Sequence, residues 1–343
     1  AFFCIYCLIL NMYLKDISFI IPVYNRPNEI DELLNSFLNL KGLKDFEIVI
    51  VEDGSTNRCN YIIKKYDDLN ISYYFKENSG PGDSRNYGMS VAKGCYFIIL
   101  DSDCLLPENY TEILKKNLSD NYSDCFGGVD DSHTSFNSFQ KAVSFSMTSF
   151  ITTGHLRGGE NSKNFQPRSF NMGISKVAFE KSKGFGKIHP GEDPDLSIRL
   201  KNLGFSTKLY NKLKVYHKRR ISISSFFTQV YKFGIARSIL NNWHPKTKKI
   251  IYWFPSLFLI LFIISVCLLS VGFNILFLLY LIYFLLVFTI SSFKNNLLVG
   301  FLSIITTFVQ LLGYGYGFLL SFLSISIYRN KKIQDIFPKM FFK

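Results

Sequence analysis

The chain has 343 residues, a formal net charge of +13 and seven cysteines. This length can hold one large domain together with a further segment. The cysteines are irregularly spaced, so the sequence predicts neither a disulfide framework nor a cysteine-based metal site, and they are typical of reduced cytoplasmic thiols.

The basic charge is concentrated in one part of the chain. No Asp or Glu occurs between Asp195 and Asp335, whereas residues 199–249 contain thirteen Lys and Arg. Because this belt precedes a long apolar region, it is typical of the cytoplasmic side of a membrane anchor on anionic lipid. A nucleic-acid surface is the alternative interpretation, but no recognised nucleic-acid module accompanies the belt. We therefore expect membrane lipids, and no nucleic acid, as partners.

Strand and helix patterns alternate along the first hundred residues. Residues 1–11, which lack the basic start of a signal peptide, are treated as an uncertain N-terminal extension. Strands are predicted at 17–23, 46–51, 71–75 and 96–100, and helices at 30–38, through Lys64 and Lys65, and at 83–92. This alternation predicts an α/β domain with a mostly parallel, doubly wound sheet, whose ligands bind beyond the carboxyl ends of the strands.

Acidic residues follow two of these strands. Asp53 comes after the second strand, and Asp101 and Asp103 come after the fourth. Carboxylates are costly to bury, so such a cluster favours hydrogen bonding to a ligand or coordination of a hard cation. Mg²⁺ or Mn²⁺ holding a diphosphate would suit the Asp101-x-Asp103 pair, although a solvated turn is an alternative.

The patterns after this point are less regular. Within residues 105–170 only a helix after Pro107 is predicted, and we expect a mobile or acceptor-facing segment in the remainder. Aromatic residues mixed with Lys232 and Arg237 predict an amphipathic helix over 222–243 that lies in the membrane interface. A helix packed in an ordinary core is the alternative.

Five motifs occur together in a fixed order. They are Pro22-Val23-Tyr24-Asn25-Arg26, Val51-Glu52-Asp53-Gly54-Ser55-Thr56, Asn78-Ser79-Gly80-Pro81-Gly82-Asp83-Ser84-Arg85-Asn86, Leu100-Asp101-Ser102-Asp103 and Gly191-Glu192-Asp193-Pro194-Asp195-Leu196. As an ordered set they resemble the family 2 glycosyltransferases over about residues 17–220. The resemblance implies a GT-A-type, Rossmann-like domain that binds a nucleoside diphosphate sugar, with a UDP sugar favoured.

The resemblance also implies roles on the donor side of the site. The donor-binding residues that it implies are Pro22, Val23, Tyr24, Glu52, Asp53, Arg85 and Asp101. Asp103 would be the ligand of a divalent cation, Mg²⁺ or Mn²⁺, and His217 resembles the late histidine that can complete the metal shell. His217 could equally be an incidental part of the basic juxtamembrane stretch.

On the acceptor side, Asp193 would be the general base that deprotonates the acceptor hydroxyl in an inverting displacement. Glu192 would lie beside it, facing the acceptor. Both carboxylates could instead stabilise the N-terminus of the helix predicted at 195–202, and the two interpretations are compatible. Asn171, Met172 and Gly173 stand where relatives place an acceptor-pocket segment, although the chain departs there from the commoner Gly-Asn pattern.

The C-terminal part of the chain is apolar. Lys294 is the one charged residue between positions 250 and 328, and the runs 250–271 and 275–293 approach the length that crosses a bilayer. The run 297–328 is too long for one upright helix and too short for two, and its Gly313–Gly317 centre permits a kink or a re-entrant turn. We expect about three membrane segments.

Together these patterns predict a multi-pass protein of the inner or plasma membrane with a cytoplasmic catalytic domain. The function expected is metal-dependent transfer of a sugar to a membrane-proximal or lipid-linked glycan acceptor in cell-surface polysaccharide synthesis. A non-catalytic scaffold or sugar-nucleotide sensor that retains the fold is the alternative. The predicted domains are the extension 1–11, a catalytic domain 12–221, an interfacial linker 222–249, a membrane region 250–328 and a basic tail 329–343.

Overall fold

The structure, a computed structural model, describes residues 14–131, 136–154, 165–217 and 222–342, without the side chains of Asp131 and His217. The predicted extension 1–11 and the basic residues 218–220 lie outside the described residues. The chain divides into two compact units. The sheet unit is Ala1–His133, Glu160–His217 and Phe342–Lys343, and the helical unit is Thr134–Gly159 and Lys218–Phe341.

The described residues of the sheet unit form eight strands in the order β3-β2-β1-β4-β7-β6-β8-β5. They are β1 (Ile17–Val23), β2 (Glu47–Asp53), β3 (Ile71–Lys76), β4 (Tyr96–Leu100), β5 (Cys104–Leu105), β6 (Cys125–Asp131), β7 (Asn171–Ser175) and β8 (Thr207–His217). Strands β1 to β4 are parallel, which confirms the prediction, whereas β7 runs antiparallel to both β4 and β6. The sheet is therefore mostly parallel.

Helices connect the strands and make up the second unit. They are α1 (Pro27–Leu38), α2 (Asn60–Ile63), α3 (Pro81–Val91), α4 (Tyr110–Asp120), α5 (Ser138–Thr148), α6 (Phe150–Thr153), α7 (Lys176–Ser182), α8 (Glu192–Asn202), α9 (Ile223–Trp243), α10 (Phe254–Leu269), α11 (Ile275–Lys294), α12 (Leu297–Ile327) and α13 (Ile333–Ile336). In the segment 105–170, for which the sequence predicted one helix, the described residues form strand β6 and helices α4, α5 and α6, and β5 ends at Leu105.

Each face of the sheet carries its own apolar core, because successive side chains of a strand point to opposite faces. On one face, Phe19 of β1 packs edge-on against Phe37 of α1, with ring centroids 5.0 Å apart. On the other face, Ile20 belongs to a core that also contains Met89 of α3 and Leu196 of α8. Covering both faces in this way buries the central strands and leaves their carboxyl ends as the accessible edge.

In the helical unit, α9 and α5 pack along α12. The side chains of Phe226, Val230 and Ile239 on α9 are buried. Part of the apolar surface of α9 therefore packs within the helical unit, and the predicted position of this helix in the membrane interface stays a prediction.

Within the described part of the chain, three helices are long and apolar enough to cross a membrane: Ile250–Leu269, Ile275–Lys294 and Leu297–Ile327. The last is one continuous helix through the glycine-rich centre, where the sequence permitted a kink or a re-entrant turn. A side chain at Gly315 would collide with the carbonyl oxygen of Pro255, and one at Gly317 with that of Tyr231. These glycines therefore allow close helix packing rather than a bend.

Candidate active site at the carboxyl ends of the strands

The parallel strands bring the predicted donor-side motifs to one edge of the sheet. The ends of β1, β2 and β4 carry Tyr24, Asp53 and Asp101. Tyr24 is 52% exposed, whereas Pro22 is half-buried and Val23 lies in the apolar core. Of these three predicted donor-binding residues, Tyr24 thus offers an open aromatic face.

Glu52 and Asp53 organise the loops around this edge. Glu52 is fully buried and accepts hydrogen bonds from the Cys59 backbone N–H at 2.8 Å and from the Tyr73 hydroxyl at 3.2 Å. Asp53 accepts from the backbone N–H groups of Ser79 and Gly80, both at 3.0 Å. These bonds hold the loops that follow β2 and β3 in place.

Lys76 is a partner of Asp53 that the sequence analysis missed. Its ammonium lies 2.6 Å from Asp53 Oδ1 and 3.3 Å from Asp83 Oδ2, with only 14% of the side chain exposed. A lysine at the end of an edge strand gives no local signal of such a role. The ion pair neutralises the buried Asp53 carboxylate while its oxygens hold the Ser79–Gly80 backbone.

Arg85 joins the donor side of the site to the predicted acceptor side. Its guanidinium donates to Asp101 Oδ1 at 2.8 Å and to Glu192 Oε1 at 3.2 Å. Burial would lower the pKa of Arg85, but the carboxylates, Asp101 foremost, outweigh burial and raise it. Arg85 is therefore a fixed positive charge in contact with both motifs.

Asp193 follows Glu192 in the first turn of α8. One carboxylate oxygen, Oδ2, accepts from the backbone N–H and the hydroxyl of Ser169 at 3.1 and 3.2 Å. The other, Oδ1, is buried and has no hydrogen-bond partner among the described residues. Burial first, and then the charge of Glu192, raise the pKa of Asp193 to about 6. Such a carboxylate can accept a proton near neutral pH.

The pKa of Glu192 is shifted in the opposite direction to that of Asp193. Burial would raise its pKa, but His189, whose Nδ1 lies 2.8 Å from Glu192 Oε1, and the Arg85 guanidinium lower it to about 2. Glu192 and Asp193 both lie in the first turn of α8, and their side chains contact Arg85 and Ser169, respectively.

The predicted metal ligands lie on the turn after β4. Asp101 and Asp103 are both partly exposed, and the next residue, Cys104, pairs with the backbone of His217 in the β5–β8 ladder. Within the described residues no group of three or more His, Cys, Asp or Glu side chains could hold a metal. Two carboxylates nevertheless fit Mg²⁺ or Mn²⁺, which commonly take further ligands from phosphate oxygens and water.

Arg26 belongs to the first of the five motifs, but no role was predicted for it. Its Nη1 lies 2.5 Å from Asp103 Oδ2, so each aspartate of the turn after β4 contacts an arginine. Burial would lower the pKa of Arg26, yet Asp103 raises it.

The residues predicted for the acceptor pocket lie inside the sheet. The Asn171 side chain accepts from the Tyr110 hydroxyl at 2.7 Å and donates to the Leu213 carbonyl at 3.0 Å. Met172 belongs to an apolar core, and a side chain at Gly173 would collide with the Phe126 ring. The structure thus gives Asn171, Met172 and Gly173 packing contacts within the sheet.

The cleft beside α3 contains one residue from the end of the chain. The Phe342 ring fills the space next to Gly80 that a side chain would need, and its centroid lies 5.8 Å from that of His189. The Phe342 backbone N–H donates to the Lys187 carbonyl at 3.3 Å. Phe342 therefore lines the rim of the loop that leads to Glu192.

Comparison with known proteins identifies relatives of the sheet unit. Residues 18–181 match the model of Glycosyl transferase family 2. A glycosyltransferase of Rickettsia bellii is 31% identical over 233 residues, covering 66% of this chain and 32% of that protein. The chain spans about a third or less of the length of the first curated relatives it matches.

Two relatives from Bacillus match shorter stretches. The minor teichoic acid biosynthesis protein GgaB of Bacillus subtilis is 35% identical over 101 residues, 28% of this chain and 11% of that protein. A poly(ribitol-phosphate) beta-glucosyltransferase of Bacillus spizizenii is 39% identical over 92 residues, 25% of this chain and 14% of that protein.

A mannosyltransferase of known structure shares the fold. The mannosyltransferase PcManGT of Pyrobaculum calidifontis, determined with GDP-Man and Mn²⁺, has a TM-score of 0.50 at 17% identity and covers 65% of this chain and 64% of its own. At this identity the likeness concerns the fold alone. The family match and the mostly parallel sheet agree, and the chain therefore carries a family 2 glycosyltransferase domain of the GT-A fold, followed by apolar helices.

Proposed function

We propose that the protein is an inverting, metal-dependent glycosyltransferase that acts at the cytoplasmic face of a membrane. It transfers a sugar from a nucleoside diphosphate sugar, with a UDP sugar favoured, to a membrane-proximal or lipid-linked glycan acceptor. The observation that carries the proposal is Asp193, whose pKa is raised to about 6 and whose Oδ1 has no partner among the described residues. A residue that served packing alone would need neither a raised pKa nor a carboxylate oxygen left without a partner.

In the proposed reaction, Asp193 Oδ1 accepts the proton of the acceptor hydroxyl. The acceptor oxygen forms a bond to the anomeric carbon of the donor as the bond from that carbon to the diphosphate breaks, so the electron pair leaves with the diphosphate. Ser169 holds the Asp193 carboxylate in place, and Arg85 supplies a fixed positive charge between Asp101 and Glu192. A divalent cation, held by Asp101 and Asp103, would stabilise the leaving diphosphate.

Tyr24 would stack on the base of the nucleotide, because its exposed ring lies at the end of β1. Glu52 and Asp53 would act indirectly, since the bonds of their carboxylates hold the surrounding loops. His217 remains a candidate metal ligand on the basis of its backbone position opposite Cys104.

Two features support a membrane-proximal acceptor in cell-surface polymer synthesis. Three helices are long and apolar enough to hold the protein in an inner or plasma membrane, in contact with its lipids. The two Bacillus relatives, one a teichoic acid biosynthesis protein and one a poly(ribitol-phosphate) glucosyltransferase, support an acceptor of the teichoic acid type.

A non-catalytic scaffold that retains the fold is the competing function, and one experiment separates the two. Protein purified in detergent is supplied with a panel of nucleotide sugars, with and without Mn²⁺, and donor turnover and binding are measured. Asp193→Asn is run in parallel, with Glu180→Gln, an exposed carboxylate outside the site, as the matched control. We expect Mn²⁺-dependent turnover of one donor that Asp193→Asn abolishes while donor binding survives. Donor binding without turnover by the unaltered protein in any acceptor extract would favour the scaffold.

A further inference from the structure

The ion pair between Arg26 and Asp103 joins two loops at the donor edge. Arg26 lies three positions after the end of β1, and its Nη1 is 2.5 Å from Oδ2 of Asp103 on the turn after β4. The arginine side chain is 33% exposed and that of the aspartate 16%. The pair is therefore charge-assisted and open to solvent on one side.

Arg26 is held differently from the second arginine of the site. Arg85 is 4% exposed, contacts both Asp101 and Glu192, and lies over the Phe185 ring. Among the residues that the structure describes, Arg26 forms an ion pair only with Asp103. Arg26 can leave its partner by turning toward solvent, whereas moving Arg85 would expose the buried carboxylate of Glu192.

Asp103 is also the carboxylate proposed for the divalent cation. A cation bound there would lie next to the Arg26 guanidinium, and two like charges in a partly buried site repel each other. Arg26 and the cation would therefore compete for Asp103. The displaced guanidinium would need another anion, and the diphosphate of the donor is the anion that arrives with the cation.

We propose that Arg26 is a diphosphate-binding residue that neutralises Asp103 until the donor and its cation bind. The cation then takes Asp103, and the Arg26 guanidinium pairs with phosphate oxygens, for which its planar fork of N–H donors is suited. The exchange leaves every charge with a partner. The inference rests on the proposed function, because it needs a nucleoside diphosphate donor.

The test measures Mn²⁺ and nucleotide binding separately from activity. The full chain in nanodiscs is titrated with Mn²⁺ by electron paramagnetic resonance, first alone and then with UDP or GDP. Arg26→Gln is compared with Lys41→Gln, which removes one positive charge from a surface pair that is 63% exposed at the lysine. Without nucleotide, Arg26→Gln should bind Mn²⁺ several-fold more tightly than the unaltered chain. With Mn²⁺ present, the Arg26→Gln variant should bind whichever of UDP and GDP the unaltered chain binds more tightly with roughly tenfold lower affinity.

Two further variants make the result specific. Arg26→Lys keeps the charge without the planar fork, so it should bind Mn²⁺ like the unaltered chain and the nucleoside diphosphate more weakly. In an Asp103→Asn background, Arg26→Gln should no longer improve Mn²⁺ binding, because the shared carboxylate is gone. Binding of uridine or guanosine should not change in any of these variants.

The outcomes distinguish this inference from the proposed function. If the unaltered chain binds neither UDP nor GDP with Mn²⁺, the proposed function fails and the inference fails with it. If it binds one of them and Arg26→Gln changes neither affinity beyond the Lys41→Gln control, Arg26 is only a structural partner of Asp103. Weaker Mn²⁺ binding by Arg26→Gln would likewise contradict the proposal that Arg26 and the cation compete for Asp103.

Discussion

Arg85 and Glu192 stand 107 positions apart in the chain, yet Nη1 of the arginine lies 3.2 Å from Oε1 of the glutamate. The same guanidinium lies 2.8 Å from Asp101 Oδ1. One buried side chain therefore links the turn proposed to hold the donor with the first turn of α8, which carries Asp193. The geometry of transfer depends on the relative position of these two turns.

Removing the Arg85 guanidinium should destabilise the sheet unit. Arg85→Met leaves the buried Glu192 carboxylate without this partner, and breaking such a buried pair costs about 3–5 kcal/mol of unfolding free energy. The measurement is denaturation of the detergent-solubilised protein. Lys41→Met, which breaks an exposed pair with Glu108, should cost less than about 1 kcal/mol.

The double variant Arg85→Met, Glu192→Gln should recover part of this loss, because the uncompensated charge is then removed. A loss for Arg85→Met no larger than that for Lys41→Met would show that Arg85 is not the link between the two turns.

The pH dependence of turnover should report Asp193. With a pKa of about 6, its carboxylate is protonated in acid and cannot accept the hydroxyl proton. We expect kcat/KM to fall as the pH drops through about 6 and to level off above neutrality, when measured with saturating Mn²⁺. A rate that stays constant from pH 5 to 8, with chemistry shown to be rate-limiting, would remove Asp193 from the role of base.

The same pKa predicts a pH-dependent cost in stability. Because burial raises the pKa of Asp193, the folded state binds this proton more tightly than the unfolded state, whose Asp pKa is about 3.9. Stability from this group is therefore lost as the pH rises from about 4 through about 6. Asp193→Asn should raise the denaturation midpoint at pH 7.5 relative to the unaltered protein.

Glu192→Gln is the matched control, because it should change the denaturation midpoint in the opposite direction to Asp193→Asn. The Glu192 pKa is lowered to about 2, so this carboxylate contributes stability above its unfolded pKa that is lost as the pH falls through the folded value. Glu192→Gln should lower the midpoint at pH 7.5. If both variants changed the denaturation midpoint in the same direction, the opposite pKa shifts of Asp193 and Glu192 would be contradicted.

Ser169 should act as a positioning residue for Asp193. Ser169→Ala removes the hydroxyl that donates to Oδ2 at 3.2 Å but keeps the backbone N–H bond. Losing a bond to the charged form should raise the pKa of Asp193 further, which moves the acid limb of the pH profile upward. We expect kcat to fall while KM for the donor is unchanged, and Ser169→Thr to restore the profile. An unshifted acid limb in Ser169→Ala would leave Ser169 with a packing role alone.

Gly88 should be required for the close packing of α3 on the sheet. A side chain at this position would come within 2.6 Å of Ile20 Cγ2 and 3.2 Å of Val51 Cγ2. Gly88→Ala should therefore cost about 1–3 kcal/mol of stability through overpacking, even though alanine favours the helix. Ser90→Ala, at an exposed position of the same helix, is the control in the denaturation assay. Equal stabilities of the two variants would contradict the close approach.

Local patterns predicted the elements that carry the donor motifs. Strands β1 to β4 and helices α1 and α3 lie where apolar runs and helical spacing predicted them, because period and length are properties of short segments. The helix predicted through Lys64 and Lys65 is wrong in its position, since α2 ends at Ile63 and these two lysines lie in the following turn. The segment with α5 and α6 was not assigned. Helix α5 packs against α12, more than a hundred residues later in the chain, so the residues next to α5 in the sequence carry little local signal of its position.

The sequence by itself determined the family resemblance, the parallel sheet and the apolar C-terminal helices, since each depends on residue types in a local order. Only the tertiary structure decided which charges meet. The pairs Lys76–Asp53, Arg26–Asp103 and Arg85–Glu192 and the burial of Asn171 follow from strand order and from the direction of each side chain. Contacts between distant residues depend on how the elements are arranged in space, and a strand's own sequence does not specify its neighbours.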